Sequence, residues 1–210
     1  MARLSYDFYN RDTVETARAL LGKILVRRLE PSLLLAGRIV ETEAYIGRCD
    51  KACHAYGYRR TVRTETLFLG PGHAYIYLIY GMYHCLNFVT EPEGEPAAVL
   101  IRGLEPVAGE AYMARARYGE KPMTTARRRG LLNGPGKVCQ ALGLTRRENG
   151  IDLTGDVLSV WDSPADLGLP EPPGVPERIC AGKRIGIEYA EEARDFPWRF
   201  TLVGEDGKGA

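Results

Sequence analysis

The sequence predicts an α+β fold: a single compact mixed domain over residues 1–210, with a curved, mainly antiparallel β-sheet, a protruding β-hairpin and flanking helices. Three observations predict it. The chain has 210 residues, 45% of them hydrophobic, and no linker long enough to separate two domains. Strand-like runs recur along its whole length, two of them about a Gly-containing turn. The helical stretches are short and scattered among those runs.

The elements follow in order. Asp12 can cap a helix, Glu15 stands three residues on as in a capping box, and Val14, Ala17, Leu20 and Leu21 make its apolar face. Gly22 ends it. Lys23 to Arg28 reads as a strand and Leu33 to Tyr45 as a longer one, whose alternation puts Ile39, Glu41, Glu43 and Tyr45 on one side. Tyr75 to Ile79 and His84 to Thr90 read as a hairpin around Tyr80-Gly81-Met82-Tyr83. Val99 to Arg102 is a short central strand, and Pro106 suits the first turn of a helix running to Tyr118. Short helices are expected near 124–131 and 136–142. Strands are expected at Val157–Trp161, Ile179–Ile187 and Trp198–Val203, with a loop holding Pro164, Pro170, Pro172, Pro173 and Pro176. The acidic last segment is expected to cover the back of the sheet.

Composition narrows the function classes. No stretch approaches the ~20 apolar residues of a membrane span, and Met1-Ala2-Arg3-Leu4-Ser5 lacks a signal-peptide core, so a soluble cytoplasmic protein is the expectation. A net charge of +1 excludes a histone-like polycation, but the charge is uneven: residues 1–150 carry 22 Lys+Arg against 15 Asp+Glu, and 151–210 carry 6 against 12. Arg115, Arg117, Lys121, Arg127, Arg128, Arg129, Lys137, Arg146 and Arg147 are opposed only by Glu120. Such a cluster suits a polyanion, and equally suits a solvated surface. The five cysteines are odd in number and scattered, which argues for free thiols in a reducing compartment. Cys49, Cys53 and His54 lack the second close Cys/His pair of a structural zinc site, so no metal is expected.

Several residues can carry chemistry. Two carboxylates on one strand face, Glu41 and Glu43, are an acid/base signal or a solvent-facing ion-pair row; Tyr45 on the same face and a loop reaching His54 favour the former. Tyr75, Tyr77, Tyr80 and Tyr83 crowd into nine residues. Most of that reads as cross-strand packing, but Tyr80 at a hairpin tip has little of its own domain to pack on and suits a wedge entering a base stack. Asn87 and Arg102 interrupt apolar strands. An unpaired buried guanidinium is costly, which makes Glu43 the natural partner of Arg102 in either a catalytic or a purely structural pair. Asn133-Gly134-Pro135-Gly136-Lys137 feeds a helix start and lacks the Walker A spacing.

Taken in order, these segments resemble the alkyladenine (3-methyladenine) DNA glycosylase family, which is not of the helix-hairpin-helix kind. The resemblance runs from about residue 14 to 202 and is carried by Ala19-Leu20-Leu21-Gly22-Lys23, Val40-Glu41-Thr42-Glu43-Ala44-Tyr45, Asp50-Lys51-Ala52-Cys53-His54, Gly72 to Met82, Cys85-Leu86-Asn87, Leu100 to Pro106 and Gly134 to Ala141. It implies a monofunctional repair enzyme that flips alkylated, and also deaminated, purines such as 3-methyladenine, 7-methylguanine or hypoxanthine out of duplex DNA and hydrolyses the N-glycosidic bond with water. Glu43 is implied as general base and Arg102 as a holder of the water. Tyr45 on one side and His54 with Tyr77 on the other would sandwich the base. Asn87 would exclude a guanine amino group, Tyr80 would fill the gap in the duplex, and a backbone carbonyl near Ile187 would orient the water. Arg127, Arg128, Arg129 and Lys137 are candidates for the DNA backbone. No cofactor is implied; the expected partner is double-stranded DNA with damaged purines, bound by a monomer, nucleoid-associated in a bacterium. The sequence departs from the family pattern at Cys53, Val62, Thr64 and Leu69-Gly70. Two rival readings are a glycosidase using Glu41 and Glu43 on another sugar derivative, and a non-catalytic damaged-DNA binding module.

Overall fold

The computed structural model describes residues 3–30, 32–171 and 177–204, so Pro172, Pro173 and Pro176 lie outside the described residues. After a single turn, α1 (Tyr6–Tyr9), comes α2 (Thr13–Ala19). The Asp12 carboxylate caps it by accepting from the Glu15 N–H at 3.0 Å, the Asp12 half of the predicted box. α2 buries Thr13, Thr16 and Ala17. The Thr42 hydroxyl donates to the Ala17 carbonyl at 2.8 Å and pins the helix to the sheet.

Among the described residues the sheet has eight strands, all paired antiparallel: β1 (Ile24–Glu30), β2 (Leu33–Ile46), β3 (Ala74–Ile79), β4 (Tyr83–Val89), β5 (Ala97–Ala108), β6 (Leu158–Trp161), β7 (Glu177–Gly182) and β8 (Arg199–Gly204). Their order is β3-β4-β5-β2-β1-β6, and β8, carrying β7, branches from β2. The branch is possible because β2 is 14 residues long: β1 takes residues 33–38 of one edge and β8 takes Glu41 to Glu43. The acidic last segment therefore builds sheet edges instead of covering the back, which corrects that expectation.

Two further expectations are corrected. Pro106 opens no helix but lies in β5, opposite Gly37 and next to a register irregularity at Ala36/Gly37. A proline is tolerated where the ladder is already broken. The helix waits until α3 (Glu110–Tyr118), after Gly109 at φ +78°, where an added Cβ would come within 2.5 Å of the Leu35 side chain. The second correction concerns Ile39. A bulge between Ile39 and Glu41 flips the alternation, so Ile39 joins Val40 and Ala44 in the main core while Glu41 and Glu43 face the other way.

The short helices α4 (Thr125–Arg129) and α5 (Pro135–Ala141) complete the shell. α5 packs on β4 and β5, and α3 on α5. The core beneath them centres on Leu86, Phe88, Ile101, Met113 and Leu142; burying each such side chain is worth about 1.5–3 kcal/mol. β7 stops at Gly182, short of the predicted Ile187, because Arg184 turns inward and Gly186 takes φ +75°. No described helix is long and apolar enough to cross a membrane.

Candidate active site

Beyond its bulge, β2 turns Glu41, Glu43 and Tyr45 to one side of the sheet, where the neighbouring β5 supplies Arg102. Glu43 has no exposed surface. Its Oε2 accepts the Tyr45 hydroxyl at 2.8 Å, its Oε1 accepts the Ile185 N–H at 2.9 Å, and Arg102 Nε stands 3.5 Å from Oε1. Burial pushes the Glu43 carboxyl up from its ordinary value. Arg102, the Ile185 N–H and the Tyr45 hydroxyl pull it down, and Glu41 adds a further push upward. The net direction is up. Burial and the Glu43 charge in turn raise the Tyr45 phenol, which stays a donor.

Glu41 does not line the cleft. Its Oε1 lies 2.8 Å from Arg199 Nε and 3.3 Å from Arg102 Nε.

The cleft encloses about 130 Å³. Tyr45, His54, Tyr75, Tyr77, Asn87, Leu100 and Arg102 are among its lining residues, and the rings of His54, Tyr75 and Tyr77 form one contact cluster. His54 meets Tyr77 edge-on at 4.5 Å between ring centres. Its Nδ1 is 3.0 Å from the Tyr75 hydroxyl, and its Nε2 accepts from Arg63 at 3.4 Å. Because a guanidinium only donates, Nε2 is the unprotonated nitrogen and Nδ1 donates to Tyr75. Burial, aided by Arg63, lowers the His54 pKa to about 4, so the ring is neutral at pH 7. The Asn87 amide donates to the Tyr75 carbonyl at 3.1 Å, which leaves its oxygen for the cleft.

Tyr45 and Tyr77 each also carry a guanidinium, Arg184 4.6 Å from the Tyr45 ring centre and Arg63 5.2 Å from that of Tyr77. Arg184 is fully buried. It donates to Asp50 Oδ1 at 2.8 Å, to the Ala44 carbonyl at 2.8 Å and to the Ala193 carbonyl at 3.0 Å. That clamp carries the next residue, Ile185, onto Glu43.

Five of the sequence-predicted residues thus line one cleft, Arg102, Tyr45, His54, Tyr77 and Asn87, and Glu43 lies behind its wall, bonded to Tyr45 and Ile185. Tyr80 sits apart at the tip of the β3–β4 hairpin, 81% exposed and at φ +53°, followed by Gly81 at φ +70°. Arg127, Arg128, Arg129 and Lys137 do not line the cleft. Arg127 donates to the Pro122 carbonyl, Arg128 pairs with Glu110, and Lys137 reaches Asn133 Oδ1 at 2.6 Å, while Arg129 is exposed. The helix that begins at Pro135 reaches the cleft through that proline, and Gly136 backs the Tyr83 ring of the hairpin, where a Cβ would come within 3.1 Å.

Sequence reasoning missed Arg184, Ile185 and Arg63, and took Tyr75 as packing. The segment implied to orient water near Ile187 lines the cleft at Ile185, Gly186 and Ile187, and its Ile185 N–H donates to Glu43. One signal was present: the pair Lys183-Arg184 interrupts the run from Ile179 to Ile187. Cys53 and Cys85 also line the cleft as free thiols, and burial pushes the Cys53 thiol up to about 12, far from a reactive thiolate.

With this geometry in hand, comparison with known proteins is specific. Residues 7–206 match the model of a family described as methylpurine-DNA glycosylase. A protein of Bacillus cereus (strain B4264) is 51% identical over 94% of each chain, and one of Clostridium perfringens (strain SM101 / Type A) is 50% identical over 95% of each. Both carry 3-methyladenine DNA glycosylase in their names.

Proposed function

The chain belongs to the methylpurine-DNA glycosylase family, and from that premise we propose that it flips alkylated purines, and deaminated ones such as hypoxanthine, out of duplex DNA and hydrolyses the N-glycosidic bond with water activated by Glu43. The observation that carries this reading is a wholly buried carboxylate of raised pKa beside a cleft walled by aromatic rings, half-paired with Arg102. Such a group is a stronger base than a solvated carboxylate.

In this reading the flipped base stacks between Tyr45 and the pair His54 and Tyr77. A cationic alkylated purine gains a cation–π term of ~0.5 to 2 kcal/mol from the ring faces. His54, neutral at working pH, adds no charge against it. Water attacks C1′ of the sugar while its proton passes to a Glu43 oxygen; the C1′–N bond breaks and its electron pair leaves with the purine. Arg102 spends Nε on the carboxylates, and its terminal nitrogens remain for the water. No amine attacks the sugar, so no Schiff base forms. Tyr80 fills the vacated place in the stack. Flipping costs a few kcal/mol and is cheapest at poorly paired lesions, which adds selectivity ahead of the cleft. The enzyme works as a monomer.

The rival glycosidase needs two carboxylates at the substrate. Glu43 hydrogen-bonds two residues of the cleft wall, Tyr45 and Ile185, whereas Glu41 has two guanidiniums on one oxygen, which favours a single catalytic carboxylate, Glu43.

The test is base release, in EDTA, from duplex DNA carrying one hypoxanthine and from alkylated DNA containing 3-methyladenine and 7-methylguanine. Wild type should release base, and Glu43→Gln should be slower by about 10²-fold or more. Release by Glu43→Gln at the wild-type rate would overturn the assignment of the base. Tight lesion binding without release by folded wild type would establish the binding module instead.

A further inference from the structure

Glu41 and Arg199 have no part in the reaction above, yet they form one line of charge with its two central groups. Arg199 Nε lies 2.8 Å from Glu41 Oε1, the same oxygen lies 3.3 Å from Arg102 Nε, and Arg102 Nε lies 3.5 Å from Glu43 Oε1. Side-chain exposure falls along the line from 33% at Arg199 through 19% and 13% to none at Glu43, so it runs from solvent to the base. Two carboxylates share one Arg102 nitrogen, and the nearer of them is not Glu43.

We propose that Glu41, anchored by Arg199, is a positioning residue that competes with Glu43 for the Arg102 guanidinium and so keeps the base carboxylate loosely paired. The inference rests on Glu43 being the base. A carboxylate paired tightly with a guanidinium is a poor proton acceptor, whereas one left unpaired in a dry site is protonated too readily to serve. The line holds Glu43 between these limits. The sequence builds it with one bulge: the extra residue of β2 turns Glu41 to the Glu43 side, and β8 places Arg199 directly opposite Glu43.

The groups that face Glu43 are Glu41 and Tyr45 on β2, Arg102 on β5, Cys85 on β4, Arg184 with the Ile185 N–H from the segment after β7, and Arg199 on β8. Of these, Glu41 and Arg199 act through Arg102, and their removal should act with opposite sign. Without Glu41, Arg102 turns wholly to Glu43 and a like charge disappears. Without Arg199, Glu41 is unopposed and draws Arg102 away.

The experiment is the pH profile of single-turnover release of hypoxanthine from duplex DNA, for wild type, Glu41→Gln, Arg199→Gln and Arg199→Lys, with thermal melts to confirm folding. Glu41→Gln should move the acid limb down by about half a pH unit or more and lower the plateau several-fold, as expected of a weaker base. Arg199→Gln should move the limb up, and Arg199→Lys should restore it most of the way. Shifts of the same sign, or limbs that stay at the wild-type position in folded variants, would overturn the proposal. If Glu41→Gln does not fold, the two Arg199 variants decide it. Should Glu43→Gln itself release base at the wild-type rate, it is the proposed function that fails; a dead Glu43→Gln with unmoved limbs sinks the positioning role alone.

Discussion

Arg184 shows how one side chain can organise a site without touching substrate. Wholly buried, it is paired with Asp50, which accepts in turn from the Ala52 N–H at 2.9 Å, and the pair ties the loop after β2 to the segment after β7. Replacing it with methionine strands the Asp50 charge, and urea unfolding should show a loss of about 3–5 kcal/mol; adding Asp50→Asn should recover part of that loss, because the stranded charge is then gone. His54 carries a pH signature. Its folded pKa, about 4, lies below the ordinary value of 6.5, so the unfolded chain binds the proton first. The contribution of His54 is therefore in full effect above pH 6.5 and is lost as pH falls towards 4; in His54→Gln, stability measured over that window should flatten. At this scale the sequence was informative where polarity interrupts an apolar strand, as at Glu43, Asn87 and Arg102. It was silent on the Ile185 N–H, because a main-chain donor has no residue type to read.

Among the elements, the β3–β4 hairpin is the one whose local chemistry opposes its own stability. Tyr80 holds a left-handed backbone at an 81% exposed position, where glycine would suffer less strain and tyrosine buries almost nothing. Tyr80→Gly should leave the melting temperature unchanged or slightly raised while lesion-duplex affinity and single-turnover rate fall. Loss of the fold along with the affinity would instead make Tyr80 a structural residue. The hairpin was legible because turn residues separate two apolar runs. Pro106 and the β2 bulge were not. A proline reads alike at a helix start and beside a broken ladder, and a bulge is specified by the partner strand, which periodicity along one strand does not register.

Over the whole molecule, charge is divided along the chain, 22 basic against 15 acidic residues before position 151 and 6 against 12 after it. That division supports DNA binding that weakens with salt, with a slope of about 0.9 per phosphate neutralised. The structure sorts the cationic candidates further. Arg127, Arg128 and Lys137 already have partners in the protein, and Arg129 is exposed with none among the described residues. Arg129→Ala should lower the salt slope by about one unit, while Arg127→Ala should act mainly on thermal stability; equal effects on the slope would mean that Arg127 leaves its carbonyl for a phosphate. The α+β class and the single antiparallel sheet were legible from strand recurrence, but the branching at β2 was not, since nothing in the sequence of a long strand says that two others divide one of its edges.

The hydrogen bond from Ile185 to Glu43 joins positions 142 residues apart. During synthesis the glutamate, the arginine beside it and the tyrosine and histidine rings all leave the ribosome well before Ile185 does. A chain that stops before Ile185 holds the ingredients of the cleft but not the contact that closes over the carboxylate, so the surroundings of Glu43 are completed only once the segment after β7 has been made.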